Sequence, residues 1–449
     1  MEIETEKGIL LPKEVNEIIH TLQNAGFEAY AVGGCVRDLV LHRIPKDYDV
    51  TTSALPEQVK SLFRRTVDTG IEHGTVTVLL GDESFEVTTY RIDGKYEDSR
   101  HPKEVTFTAS LKEDLLRRDF TINAMAYNEE EGLQDLYDGL EDLKKGVIRC
   151  VGNPMERFSE DALRIMRAVR FSAELGFEIE ENTKDAIRKL ALNLKDISAE
   201  RIQTEMIKLV TSPNPSFLKK AWELGITAVV FPEFDICMET EQNNPHHCFS
   251  VGEHILASMN QIENDKILRL SMMLHDIGKP ECKTTDEKGT DHYYGHQDVS
   301  SDMAGMILKR WKFDNKTRDA VICLTKYHDM RVELTKQAVR KAIYKVGEAY
   351  FPLLFKIQLA DVLAQSSYER DQKLERIRRT KELYEEILEE GDCLSLKDLQ
   401  ITGKELMEIA HIPEGPTVGI IMKKLLEKVL EDPSLNHVET LLSLAMKEK

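Results

Sequence analysis

Apolar residues recur at helical spacing between Pro12 and Asn24, where Val15, Ile18, Ile19 and Leu22 mark one face of a predicted helix. The apolar run Tyr30–Val32 predicts a short strand, and Gly33-Gly34 a sharp turn that lets the backbone approach a ligand closely. Arg37 and Asp38 fall in the first turn of the next helix. Asp47-Tyr48-Asp49 then leads into Val50 and reads as a strand, on which residues two apart face the same side. Asp47 and Asp49 are therefore expected to project together. The pattern next predicts a helix over Pro56–Arg64 and a hairpin of strands Thr75–Leu80 and Phe85–Tyr90, turning at Gly81-Asp82. Arg91–Glu113 is polar and without a period, which predicts a long loop. The run from Arg117 to Ala126 reads as a helix start, with Asp119 or Thr121 as its cap.

From Asn153 the pattern turns helical. Glu160–Phe171 reads as one helix carrying Asp161, Arg164, Arg167 and Arg170 at every third position. That spacing drifts by about 60° per step, so Asp161 and Arg164 share a face and Arg170 points well away. Helices are expected over Ser198–Thr211 and Pro215–Leu224, and a linker over Phe231–Asn244. His254, His275-Asp276, His296, His328 and Asp361 follow in helical context. A charged helix runs from Asp371 to about Glu390, and Ile412–Gly419 leads into a last helix ending near Leu430. No internal repeat is apparent.

Composition narrows the class. The 449 residues suffice for two to four domains, and 41% hydrophobic with 31% charged is ordinary for a soluble globular protein. No uninterrupted apolar run approaches the ~18 residues of a membrane span. Met1-Glu-Ile-Glu-Thr-Glu is acidic where a signal peptide is basic. Seven scattered cysteines without a Cys-x-x-Cys pair suit reduced thiols in a cytoplasm, not a disulfide framework or zinc ribbon. A net charge of −19 predicts that any nucleic-acid partner is met by a local basic groove and discriminated by shape.

The chemistry lies in combinations. Two parallel carboxylates repel unless a cation sits between them, and all-oxygen ligands suit Mg²⁺, which also holds substrate phosphates. Singly, a Gly-Gly is a turn and an Asp-x-Asp a solvated strand end. Together with Arg37, they describe a site for transferring a nucleotide. Glu86, an acid in an otherwise β-prone strand, reads alone as an outward-facing residue.

Gly33-Gly34-x-x-Arg37-Asp38 followed by Asp47-x-Asp49 in one strand-helix-strand unit resembles the nucleotidyltransferase superfamily related to DNA polymerase β. In detail it is similar to the class II branch of bacterial CCA-adding tRNA nucleotidyltransferases and poly(A) polymerases. The resemblance implies an α/β head with a polymerase β-like mixed sheet (1–145), an all-α neck (146–235), an HD-bearing body (246–370) and a helical, tRNA-binding tail (371–449). It implies stepwise addition of C, C and A to the 3′ end of tRNA from CTP and ATP, with release of pyrophosphate and no membrane partner. Asp47 and Asp49 would hold two Mg²⁺ ions, with Glu86 as third carboxylate. The N–H groups near Gly34, with Arg37 and Arg118, would neutralise the triphosphate. Asp119 and Asn123, in Arg-Arg-Asp-Phe-Thr-Ile-Asn, would meet ribose or base.

Glu160-Asp161-x-x-Arg164 matches the family's base-selecting motif, with Arg167 and Arg170 as further nucleotide contacts. Asp161 would accept from an exocyclic amine and Arg164 donate to a ring acceptor, which admits C and A and rejects U and G. Leu-His-Asp-Ile-Gly-Lys resembles an HD domain, whose ligands would be His254, His275, Asp276 and Asp361, with His296 and His328 like the extra ligands of two-metal versions. Such a set suits Mn²⁺ or Ni²⁺ and phosphohydrolysis. Gly415, Gly419 and Lys423-Lys424 read either as part of a small helical end-domain or as a backbone clamp for RNA phosphate. A poly(A) polymerase, an enzyme adding only CC or only A, and a chain that is chiefly an HD phosphohydrolase or RNA-binding protein are the alternatives.

Overall fold

A computed structural model describes residues 9–93 and 105–448. The chain divides into two compact units, residues 1–232 and 233–449. In the first, strands β1 (Ala29–Val32), β2 (Asp49–Thr52), β3 (Thr66–Gly70), β4 (Thr75–Leu80) and β5 (Glu83–Thr89) belong to one mixed sheet. A hairpin of β6 (Arg91–Asp93) and β7 (Val105–Phe107) follows, and β8 (Met125–Asn128) and β9 (Gly132–Asp135) complete the seven-stranded sheet. The sheet order is β3-β4-β5-β2-β1-β8-β9, with β2 antiparallel to β1 and parallel to β5. All four residues of β1 are buried, as an apolar run in a central strand requires. Helix α1 (Lys13–Asn24) buries Val15, Ile18, Ile19 and Leu22, the face its period predicts. Tyr30, Val32, Tyr90, Leu115, Ala124, Ala126 and Val151 close one core cluster. The head helices are α2 (Gly34–Val40), α3 (Pro56–Leu62), α4 (Leu111–Leu116) and α5 (Gly139–Lys145).

The same unit continues through α6 (Pro154–Glu160), α7 (Leu163–Leu175), α8 (Glu181–Leu190), α9 (Ala199–Val210), α10 (Leu218–Glu223) and α11 (Thr227–Val230). The second unit is helical: α12 (Pro232–Glu239), α13 (Val251–Asn260), α14 (Lys266–Leu274), α15 (Lys279–Cys282), α16 (His296–Arg310), α17 (Asn315–Tyr327), α18 (Lys336–Val346) and α19 (Phe351–Ala364). It ends in α20 (Arg370–Glu390), α21 (Gly403–Glu408), α22 (Pro416–Glu431) and α23 (Val438–Lys447). Buried Arg340 of α18 links the end of α22 to the turn after α20. It donates to the carbonyls of Leu430 and Glu431 at the end of α22, and to Asp392. Among the described residues no helix is long and apolar enough to cross a membrane. All seven cysteines are free thiols.

Several expectations need correction. Asp47 lies before β2, because only residues from Asp49 onward pair with β1 and β5. Arg91–Glu113 is not a plain loop: its ends pair as β6 and β7, and α4 starts inside it at Leu111, capped by Ser110. Tyr96–Pro102, the centre of that segment, lies outside the described residues. The run after Arg118 makes a single 3₁₀ turn over Thr121–Asn123 and enters β8 instead of starting a helix. Phe231–Asn244 is no open linker, since α12 occupies Pro232–Glu239. The neck is not purely helical, for Val147–Ile148 and Glu178–Ile179 form a small parallel ladder. Finally, Glu160–Phe171 is two helices. Asp161 is extended, φ −139° and ψ 102°, and its carboxylate accepts from the Leu163 N–H, which starts α7 afresh.

Candidate functional site

The turn from β1 into α2 sets one edge of the first site. Gly33 adopts φ +82°, which favours glycine at the turn, and a Cβ there would lie 3.0 Å from Nη1 of Arg118. Gly34 opens α2. On the neighbouring strand Asp49 is the register partner of Val32 on β1 and of Glu86 on β5. Asp49 and Glu86 both line a cavity of about 180 Å³ whose other polar walls include Arg91, Arg117 and Arg118. Withdrawal from water inside this cleft raises the Asp49 carboxyl above its usual value; Arg118 opposes the rise and the charge of Asp47 adds to it. Glu86 is raised by the same desolvation and by the charges of Asp49 and Asp47. Asp49 and Glu86 thus both respond to the charge of Asp47.

Arg37 is fixed more tightly than the sequence suggests. Its guanidinium donates to Asp38 Oδ1 at 2.9 and 2.7 Å and to Asn123 Oδ1 at 2.8 Å. Asn123 in turn donates to Asp119 Oδ1 at 3.0 Å. Asp119 accepts from Arg167 at 2.8 and 2.5 Å, and these partners outweigh burial to hold its carboxyl well below the usual range. Asp119 and Asn123 are therefore occupied within the protein and connect the head to α7. Arg37, Arg167 and Arg170 gather around the Phe171 ring, at 5.1, 5.2 and 3.8 Å from its centroid.

The expected base-selecting pair is not arranged as one helix face. Asp161 sits in the break between α6 and α7 and is gripped by Arg201 at 3.2 and 2.7 Å. Arg164 binds Glu160 Oε2 at 2.7 Å and the carbonyls of Arg157 and Arg117 at 3.0 and 2.8 Å. Arg170 pairs with Glu205 at 2.6 Å and Glu174 at 3.0 Å. The structure brings Arg167 to Asp119 and Arg164 to the Arg117 backbone; Asp161 and Arg164 meet through the backbone, the Arg164 N–H donating to the Asp161 carbonyl at 3.0 Å, while their side chains are held by different partners. The sequence reading missed Arg201, Glu205 and Arg117, whose partners lie 47 or fewer positions away but on other elements.

In the second unit, α13, α14, α16, α17 and α19 or their ends bring His254, His275, Asp276, His296, His328 and Asp361 together. Asp276 is the centre. Its Oδ2 lies 3.4 and 3.2 Å from Nε2 of His254 and His275, and its Oδ1 3.3 and 3.6 Å from Nε2 of His296 and His328. Asp361 Oδ1 stands 2.9 Å from His254. Nδ1 of His275, His296 and His328 each meets a carbonyl three residues back, at 2.7, 2.8 and 2.7 Å. With Nδ1 donating, Nε2 presents a lone pair to the carboxylate, an arrangement that repels until a cation or proton intervenes. Among the described residues, neither Asp276 oxygen has a hydrogen-bond donor other than these neighbours and Lys279, 2.7 Å from Oδ2. Ligand atoms of His254, His275 and Asp276, and of Asp276, His296 and His328, each converge within 4.8 Å. This donor set fits a divalent cation. The head carboxylates, all-oxygen and mutually destabilised, fit a harder one.

Comparison with known proteins accords with both units. Residues 29–149 match the family described as Poly A polymerase head domain, 176–238 the probable RNA and SrmB-binding site of polymerase A, and 296–445 the putative tRNA nucleotidyltransferase domain 2. The chain is 35% identical over 442 residues to the CCA-adding enzyme of Enterococcus faecalis, covering 97% of this chain and 96% of that one. It is 55% identical over 348 residues to the CCA-adding enzyme of Lactobacillus helveticus, covering 78% of each. The crystal structure of the Bacillus stearothermophilus CCA-adding enzyme in complex with CTP superposes with a TM-score of 0.73 at 29% identity, covering 98% of both chains. That family uses a divalent metal ion. With its mixed-sheet head, its helical remainder and these relatives along nearly its full length, the chain belongs to the family of CCA-adding enzymes.

Proposed function

We propose that this chain adds C, C and A in turn to the 3′ end of tRNA from CTP and ATP, through the cleft of Asp47, Asp49 and Glu86. The observation that carries the reading is the register of β2 and β5, which sets Asp49 opposite Glu86 beside three arginines. Two Mg²⁺ ions held by Asp47 and Asp49 would lower the pKa of the primer 3′-hydroxyl and neutralise the triphosphate. The 3′-hydroxyl releases its proton to solvent as its oxygen bonds to the α-phosphorus, the bridge to the β-phosphate breaks, and pyrophosphate leaves. Glu86 completes the carboxylate set. Arg118 faces the triphosphate, with the backbone near Gly34 at the turn.

Base choice falls to Asp161 and Arg164. A carboxylate offers about four acceptor positions. Asp161 can therefore receive an exocyclic amine while Arg201 remains in place. Cytosine and adenine carry that amine beside a ring acceptor; uracil and guanine place a carbonyl there. Arg167, Arg170 and Arg37 support this wall through Asp119, Glu205 and Phe171. In the tail, Gly415 at φ +146° and Gly419 have open space around them at the start of α22, where an RNA backbone can approach. The deciding assay offers purified protein, tRNA transcripts ending before CCA, and each labelled NTP separately. Complete CCA addition supports the reading, and arrest at CC, addition of A alone or poly(A) growth replaces it.

The cluster around Asp276 is assigned to hydrolysis of a phosphoester, such as a 2′,3′-cyclic phosphate on a damaged tRNA end. His254, His275, Asp276 and Asp361 would hold Mn²⁺ or Ni²⁺, with His296 and His328 on the far side of the shared carboxylate. A water oxygen bonds to phosphorus, one ester bond opens, the freed oxygen takes one of the water's protons, and the other stays on the phosphate or passes to solvent.

A further inference from the structure

Asp114, on α4, has no side-chain exposure at all, yet it is charged. Its surroundings explain why. Oδ1 receives Nε and Nη2 of Arg117 at 2.9 and 2.8 Å, and the backbone N–H of Arg91 at 3.3 Å. Oδ2 receives Thr51 Oγ1 at 3.1 Å and faces Nη2 of Arg118 at 3.5 Å. One carboxylate therefore touches all three arginine residues that line the carboxylate cleft. Thr51 shares the face of β2 that carries Asp49, two positions earlier, so the same group is also tied to the strand of the reacting centre. Burial pushes the Asp114 carboxyl up, but Arg117 and Arg118 outweigh it, so the group stays ionised and below its usual range.

We propose that Asp114 is a positioning residue for nucleotidyl transfer, which aims Arg117 and Arg118 at the triphosphate and locks them to the strand that bears Asp49. The inference rests on the triphosphate reading of this cleft. A long arginine side chain is otherwise free to sample many rotamers, and its planar fork loses less entropy on binding when it is already oriented. Asp114 supplies that orientation from beneath, without itself reaching the ligand. It also counters the mutual repulsion of two adjacent guanidinium groups in the absence of a nucleotide. Its effect should therefore scale with the phosphates of the ligand and be indifferent to the base.

The experiment measures dissociation constants of CTP and CMP for the full chain with Mg²⁺ and no tRNA. Asp114→Asn keeps the shape and an acceptor for the Arg91 N–H but removes the charge that holds Arg117 and Arg118. The expected result is a roughly tenfold smaller preference for CTP over CMP, the size of one charge-assisted contact. Asp114→Asn and Arg118→Ala together should cost less than the product of the two, because they act through the same guanidinium. A preference equal to that of the wild type, or an equal loss of CTP and CMP affinity, overturns the inference and leaves Asp114 as a structural staple. Arg118→Ala alone separates the two readings. If it too leaves the preference unchanged, the triphosphate assignment of the cleft fails and the inference with it. If it lowers the preference while Asp114→Asn does not, only the positioning role fails. Where Asp114→Asn does not fold, Thr51→Val removes one hydrogen bond to the same carboxylate; a smaller shift in the same direction supports the role, and an unchanged ratio overturns it.

Discussion

Asp49 and Glu86 are register partners on the parallel strands β2 and β5, with the Asp49 carboxyl raised by desolvation and the Glu86 carboxyl raised further by the charge of Asp49. A folded protein holds such a pair at a cost, and a bound cation reverses the sign of that cost. Replacing Asp47 or Asp49 with Ala should depress incorporation of both CTP and ATP by roughly a thousandfold, the scale seen when a preorganised charge is lost from an active site. Single-turnover extension with labelled nucleotide measures this, alongside a melting curve that should remain cooperative. Near wild-type extension by Asp49→Ala would place the chemistry elsewhere.

The raised carboxyl of Asp49 also predicts a stability effect without metal. A carboxylate whose folded pKa exceeds its unfolded value destabilises the fold once the pH is above both. Below both, the group is protonated in either state and the penalty disappears. In EDTA at pH 7 to 8, Asp49→Asn should therefore melt at a higher temperature than the wild type. The gap should narrow as the pH falls through the carboxylate range, and Mg²⁺ should invert it by stabilising the wild type alone.

Asp119 has the opposite sign. Arg167 and Asn123 overcome burial and hold its carboxyl below the usual range, so the stability it contributes is present above the unfolded carboxylate value. That stability is lost as the pH drops toward the folded value. Asp119→Asn should cost about 3 kcal/mol in urea unfolding at pH 7, the scale for breaking one side of a buried ion pair. The cost should shrink on acidification below pH 4. A pH-independent difference would show that shape, not charge, is what the position supplies.

Arg164→Ala tests base selection. Its guanidinium also bridges Glu160 and the carbonyls of Arg157 and Arg117, so a stability loss of about 2 kcal/mol is expected beside the kinetic effect. Slower CTP and ATP addition with a relative gain of UTP or GTP is the expected signature. An unchanged nucleotide preference with only a weaker KM would leave Arg164 as a phosphate contact.

The Asp276 centre predicts a separable activity. Asp276→Ala should abolish hydrolysis of 2′,3′-cyclic or p-nitrophenyl phosphoesters in Ni²⁺ or Mn²⁺ and leave CCA addition intact. Independently of turnover, either metal should raise the melting temperature of the wild type by several degrees and that of Asp276→Ala by much less. Absence of hydrolysis with any divalent metal, with the thermal shift retained, would make the cluster a structural staple between helices.

What one stretch of sequence contains, the sequence determined. The α1 face of Val15, Ile18, Ile19 and Leu22 and the turn at Gly33-Gly34 follow from local period and backbone freedom. Periodicity states which side of an element is apolar, but not which element covers it. Only the tertiary structure therefore decided that β5 pairs in parallel with β2 and carries Glu86 to Asp49, 37 positions away. Only it decided that Asp276 stands between four imidazoles drawn from separate helices. The break at Asp161 shows a short-range competition that period alone conceals, since its extended backbone ends α6 while its carboxylate accepts from the Leu163 N–H at the start of α7. Asp114 was readable in part, because Asp114, Arg117 and Arg118 have the i, i+3 and i, i+4 spacing of helical ion pairs. Its burial, and its hold on Thr51 of β2 and Arg91 of β6, arise from the packing of α4 against residues far apart in sequence, which excludes water and makes one charge serve several partners.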